Sequence, residues 1–162
     1  MKYSDKAVEY FETGCNCAQA VALAFASTVG TDEQTIKKAM AGFGAGIGRT
    51  DQVCGAVSGA VMIIGLKHAT GPDKKELIYA KVKELTEKFK ATNKSISCTE
   101  LIGCNMSLPE GLAEVKQKEI HKKICPKFVR DAAEILEKIL YRPFSTNSKS
   151  CSSETPRFLY FL

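Results

Sequence analysis

Gly42-Phe43-Gly44-Ala45-Gly46-Ile47-Gly48-Arg49-Thr50-Asp51-Gln52-Val53-Cys54-Gly55-Ala56-Val57-Ser58-Gly59-Ala60-Val61-Met62-Ile63-Ile64-Gly65 is the stretch around which the rest of the chain has to be arranged. Its first half is glycine-spaced, the pattern of a loop whose backbone takes positive φ or is approached closely by another chain segment. Its second half, Val53 to Leu66, carries no charge and is apolar or small on every face. A helix without a polar face is a buried helix. At about 14 residues the run is too short for a bilayer, which needs ~20, so the stretch predicts the central helix of a bundle. Gly55 and Gly59, one turn apart, offer one face for close packing against another backbone, and Cys54 stands at the start.

The 162 residues are enough for one domain with a core of its own, without disulfide staples. With 44% apolar and 25% charged residues and no Trp, the composition is globular. The net charge of +5 comes largely from lysines at Lys74 to Lys94 and Lys116 to Lys127, which alternate with Glu on helical faces. That is the pattern of a solvated surface; no aromatics are interleaved to stack bases, so nucleic acid is not an expected partner. Met1 to Lys6 lacks the basic region and apolar core of a signal peptide, and the expected compartment is the cytoplasm. Seven cysteines in a reducing compartment point to metal or redox chemistry rather than to structural disulfides.

Outward from the centre, the chain reads as helices separated by clear stops. Ser4 is placed to cap a helix through Phe11, ended by Gly14. Cys17 to Val29 follows, with Cys17, Val21, Ala24, Phe25 and Thr28 on one face, and Gly30 stops it. Thr31 is the expected cap of a third helix bearing Ile36, Ala39, Met40 and Phe43. Beyond the central helix, Thr70-Gly71-Pro72-Asp73 breaks the chain before a surface helix with Ile78, Val82, Leu85 and Phe89 as its inner stripe. Cys98 to Ile102 forms a short helix, Pro109 to Ile124 a basic one, and Cys125 is expected to cap a last helix reaching Leu140, with Pro126 in its first turn. No stretch alternates as a strand should. The class is therefore all-α, a bundle of six to eight short helices around a buried central one. Residues 1–140 make the domain and 141–162 an extension outside it, whose apolar end leaves a homodimer open.

Cys17, Cys54, Cys98 and Cys125 each stand at or near the start of one of these helices. A helix N-terminus presents unpaired N–H groups and about half a positive charge, which favours a thiolate or an anionic cluster. Two thiolates ~4 Å apart repel by ~4 kcal/mol at an effective dielectric of 20. A helix terminus returns only ~0.3–1 kcal/mol. Four gathered thiolates thus require a cation, and iron or zinc in sulfur ligation supplies it; otherwise they stay protonated or pair as disulfides. Their spacing, tens of residues, is unlike a zinc ribbon or a bacterial ferredoxin, and four ordinary core cysteines remain the alternative.

Gly14-Cys15-Asn16-Cys17-Ala18-Gln19-Ala20-Val21, Gly42 to Gly48, Cys54-Gly55-Ala56-Val57-Ser58-Gly59, and the single Cys98 and Cys125 together resemble the C_GCAxxG_C_C family over about residues 3 to 140. The resemblance implies a redox-active protein whose four characteristic cysteines are Cys17, Cys54, Cys98 and Cys125, with an iron–sulfur or similar prosthetic group. Some members are exported, but this chain shows no export signal. The family name specifies no reaction, so whether the protein is an enzyme, an oxidoreductase for instance, stays open.

The remaining candidates are weaker. Cys15, Cys104 and Cys151 fall outside the family pattern and are read as incidental. His68 reads as a surface or capping residue, while His121, one turn before Cys125, is a minor ligand candidate. The glycine loop lacks the Gly-Lys-Ser/Thr of a P-loop and no strand precedes it, yet its N–H groups can form a nest for an anion or sulfide. Gly44, Gly46 and Gly55 are accordingly the expected cofactor-binding glycines, and Arg49 and Asp51 an expected surface pair. Three functions follow. The first is cysteine ligation of an iron–sulfur cluster or single metal for electron transfer or sensing, with a redox partner protein. The second is a metal-free thiol/disulfide oxidoreductase, and the third a non-catalytic helical module binding metal or protein.

Overall fold

The computed structural model describes Met1–Arg142. Ten right-handed helices are present among the described residues: Tyr3–Glu12, Cys17–Ala24, Ala26–Val29, Glu33–Ala39, Gly55–His68, Lys75–Asn93, Cys98–Ile102, Pro109–Gln117, Ile120–Lys123 and Cys125–Tyr141. The all-α bundle is thus as expected, and the count exceeds six to eight because two expected helices are broken. The Cys17 helix ends at Phe25, whose backbone leaves helical geometry and whose fully buried ring stacks on Tyr3 at 4.4 Å. The basic helix breaks at Glu119, which takes a left-handed conformation (φ 52°) and lets Ile120 turn into the core.

The Cys17 helix and the central helix, Gly55–His68, form the innermost seam. The first is buried on every side except at Gln19, between the N-terminal, central and last helices. This differs from the single inner face expected for it, because Ala-rich sequence offers water nothing that polar neighbours offer. The central helix is buried through Ile64 apart from Ser58, Val61 and Met62, and emerges at Leu66. Its glycines set the seam's spacing. A β-carbon at Gly59 would lie 2.4 Å from the Ala18 carbonyl oxygen, and one at Gly55 would lie 2.8 Å from the Phe43 oxygen. Neither neighbour is a flexible side chain, so both contacts require glycine.

Three cap assignments are corrected. Lys2, not Ser4, precedes the first helix; Ser4 lies within it, fully buried. Asp32 rather than Thr31 caps the helix at Glu33, accepting the Thr35 N–H at 2.9 Å. Cys125 is the first residue of the last helix, with Ile124 before it. That helix runs through Tyr141, whose hydroxyl meets that of Tyr3 at 3.0 Å. The rest of the expected extension, with Cys151, lies outside the described residues. No helix among those described is long and apolar enough to cross a membrane.

Candidate functional site

The four cysteines come from four separate helix starts. Cys17, Cys98 and Cys125 are the first residues of theirs, and Cys54 immediately precedes the central helix. The fold brings all four to the wall of a single cavity of about 510 Å³. Cys17, Cys54 and Cys98 are buried and Cys125 half-buried.

Local chemistry explains how each one is fixed. Asn16 ends the loop before Cys17 in a capping box: its side-chain oxygen accepts the N–H groups of Ala18 and Gln19, and the Gln19 side chain accepts the Asn16 N–H. The same Asn16 amide donates to the Met40 and Ala41 carbonyls, and Gln19 donates to that of Lys37. The start of the Cys17 helix is thereby tied to the segment entering the glycine loop. Gly55 completes this corner. A β-carbon there would approach Cys17 Cβ at 3.3 Å, so its absence lets Cys54 and Cys17 come together.

Cys54 and Cys98 are joined by a pairing with no counterpart in the sequence reading. Val53 and Ser97 form an isolated antiparallel bridge, in which the Cys54 N–H donates to the Ile96 oxygen at 2.8 Å and the Cys98 N–H to the Gln52 oxygen at 2.9 Å. Ser97 also caps the short Cys98 helix. Two chain segments far apart in sequence are thus held abreast, each with a cysteine entering a helix.

The glycine loop is not loose. After a 3₁₀ turn at Ala41–Phe43, residues Ala45, Gly46, Ile47, Gly48 and Arg49 all have positive φ and form a left-handed turn. Such a run is costly for residues with a β-carbon, about 1–2 kcal/mol each, and it directs the Ala45 N–H to the Cys17 sulfur. Gly46 packs against Cys98, where a β-carbon would meet Cys98 Cβ at 2.7 Å. Gly44 reaches the cavity wall and presses on Asn16. In this structure the three glycines expected to bind a cofactor permit close approach between protein segments, and Gly44 alone of the three lines the cavity.

Electrostatically the four thiols form one group, with Cys17 the neighbour common to the other three. Burial raises the Cys17 pKa, partly opposed by the Ala45 and Cys17 backbone N–H groups. Cys54 is pushed well above the usual thiol range by burial and then by Cys17, against the Ala56 N–H. Burial, followed by the proximity of Cys17, pushes Cys98 and Cys125 up to about 12. Backbone N–H groups oppose burial at Cys17 and Cys54 alone, not at Cys98 or Cys125 as their helix starts suggested; desolvation outweighs them, and without a counter-charge all four are neutral thiols at neutral pH. Among the described residues no three His, Cys, Asp or Glu side chains close round a single metal ion.

The remaining candidates divide cleanly. Cys104 is buried but away from the cavity, beside Glu114, and Cys15 sits near Glu33 and Lys37. His121 does line the cavity, its ring 4.5 Å from that of Phe11, and burial lowers its pKa. His68 ends the central helix, away from the cavity. Arg49 also lines the cavity, and the expected Arg49–Asp51 pair is not among the ion pairs of the described residues. Sequence reasoning missed Asn16 and Gln19, although Asn-x-x-Gln before an apolar run is a capping signal. It also missed the apolar part of the wall, which several short elements supply.

The family model described as "Putative redox-active protein (C_GCAxxG_C_C)" matches residues 15–139. No curated protein and no solved structure matches the chain.

Proposed function

The chain belongs to the C_GCAxxG_C_C family, described as redox-active, and from that premise we propose that Cys17, Cys54, Cys98 and Cys125 together hold an iron–sulfur cluster for electron transfer or redox sensing. The observation that carries the reading is the meeting of four cysteines from four helix starts on one cavity wall. The donor set suits the group, since cysteine thiolates are the common ligands of such clusters. The cavity of about 510 Å³ that the four thiols line has room for a cluster. Bound there, the cluster supplies one-electron chemistry.

The chain's own residues do the rest. The Ala45 and Ala56 N–H groups aim at Cys17 and Cys54 and stabilise negative charge on sulfur. Burial keeps bulk water from three of the four thiols. The metal-free thiol/disulfide reading is disfavoured by the same burial, which leaves no cavity thiol with a depressed pKa to act as a ready nucleophile.

Anaerobic purification with absorption spectroscopy and assays of iron and acid-labile sulfide tests the proposal. A visible chromophore with both components is expected. Cys54→Ser should retain the helical fold, at a cost of ~1–3 kcal/mol for an unpaired hydroxyl at most, while iron and sulfide content falls sharply; Cys15→Ser should change neither. A colourless protein that consumes reductant through its thiols would overturn the cluster in favour of dithiol chemistry.

A further inference from the structure

The cysteines occupy only part of the cavity wall. Much of the remainder is apolar: Ile102, Met106, Leu112, Val115, Ile120 and Phe128, from the short Cys98 helix, the following loop, both segments of the broken basic helix and the last helix. Leu112 and Met106 are half-buried, so this wall is reachable from solvent. Arg49 and Lys116, both exposed, stand at the same cavity, and no Asp or Glu lines it. Neither cation has a carboxylate partner among the described residues. A volume of about 510 Å³ falls within the ~300–1,000 Å³ of small-molecule sites.

We infer that this cavity binds a small organic anion, with its apolar body against the Leu112–Val115 wall and its acid group at Arg49 and Lys116, beside the four cysteines. The inference rests on the redox reading only in giving the ligand its place next to a redox group. An apolar wall alone would accept any hydrophobic molecule; two unpaired cations on the wall, against the single carboxylate of Asp51 acting on Cys98 from behind it, select against neutral and cationic ones. The glycine turn contributes to selection by geometry. Its left-handed course puts Arg49 at the cavity instead of in the expected pair with Asp51.

Titration calorimetry of the full chain with 4-phenylbutyrate, and with the neutral 4-phenylbutanol as its match, tests this. The acid should bind saturably at one site per chain, and the alcohol about tenfold more weakly, the combined effect expected of two exposed charge contacts. Arg49→Gln with Lys116→Gln, at exposed positions that leave the core alone, should abolish the difference. Leu112→Glu should weaken the acid more than the alcohol, with an unchanged circular dichroism spectrum and melt. Equal affinity for acid and alcohol, no saturable binding, or indifference to the double substitution would overturn it. If that substitution altered iron retention or potential and left acid binding untouched, the cations would serve the cysteines, and the inference would fall. Failure to bind the acid in protein that carries iron and sulfide rejects this inference alone; intact binding in protein without them rejects the cluster alone.

Discussion

The seam between the Cys17 and central helices and the outer surface of Lys75–Asn93 are held together by opposite means. The seam has no charge, and its spacing is fixed by Gly55 and Gly59 against the Ala18 backbone. The outer helix buries only Leu85 and Phe89, half-buries Ile78 and Val82, and carries lysine and glutamate over much of its remaining surface, including the Lys88–Glu84 pair at 2.7 Å. One region derives its specificity from backbone contacts that leave no room for a side chain, the other from a narrow stripe with exposed pairs worth little individually. The cysteines sit at the end of the seam, so their positions inherit its intolerance.

The sharpest way to break this contrast is Gly59→Leu. The added side chain meets a helix backbone that has no space to yield, and the expected outcome is loss of the cooperative thermal transition; Gly59→Ala should cost ~1–3 kcal/mol. A normal melt for the leucine variant would show that the seam is looser than the packing indicates.

A smaller effect comes from alkali on the metal-free chain. An unfolded thiol ionises near 9, whereas folded Cys98 and Cys125 ionise at about 12, so the folded state retains protons that the unfolded state releases. The stability from this source is intact below pH 9 and is lost as pH rises from 9 towards 12. Denaturant midpoints across that range should fall, and fall less in Cys98→Ala. A flat profile would place these thiols in contact with water.

The smallest expected change is on the outer helix. Lys88→Ala removes an i, i+4 pair and should cost about 0.3–0.5 kcal/mol, less in high salt. A cost comparable with that of Gly59→Ala would erase the distinction between the two regions.

Much of this arrangement was legible in the residues. The uncharged run after Cys54 identified the buried helix, and glycine and proline stops placed the four cysteines at helix starts. Less legible was whatever depends on a partner distant in the chain. The glycine spacing marked a loop open to positive φ, but nothing local shows that Ala45, Ile47 and Arg49, which carry β-carbons, share that conformation; it follows from Cys17, Cys98 and Gln52 packed around them. Phe25 and Glu119 have no breaker chemistry, and tertiary burial of Phe25 and Ile120 overrides their helical surroundings. The apolar cavity wall has no single period, because several short elements each contribute one or two residues.

The Val53–Ser97 bridge bears on the order in which the molecule folds. It closes a loop on the order of 45 residues, whose entropic cost of about 3 kcal/mol plus a constant is not clearly offset by two backbone hydrogen bonds at ~0.5–1.5 kcal/mol each. The loop contains the central helix and Lys75–Asn93, which pack on each other and bring its ends together. The bridge therefore closes after that helical pair has docked, and Cys54 and Cys98 reach their final positions late. Their amide protons, which make the two bridge bonds, should consequently report on the opening of the whole helical pair when hydrogen exchange is followed, despite lying in segments that look like loops.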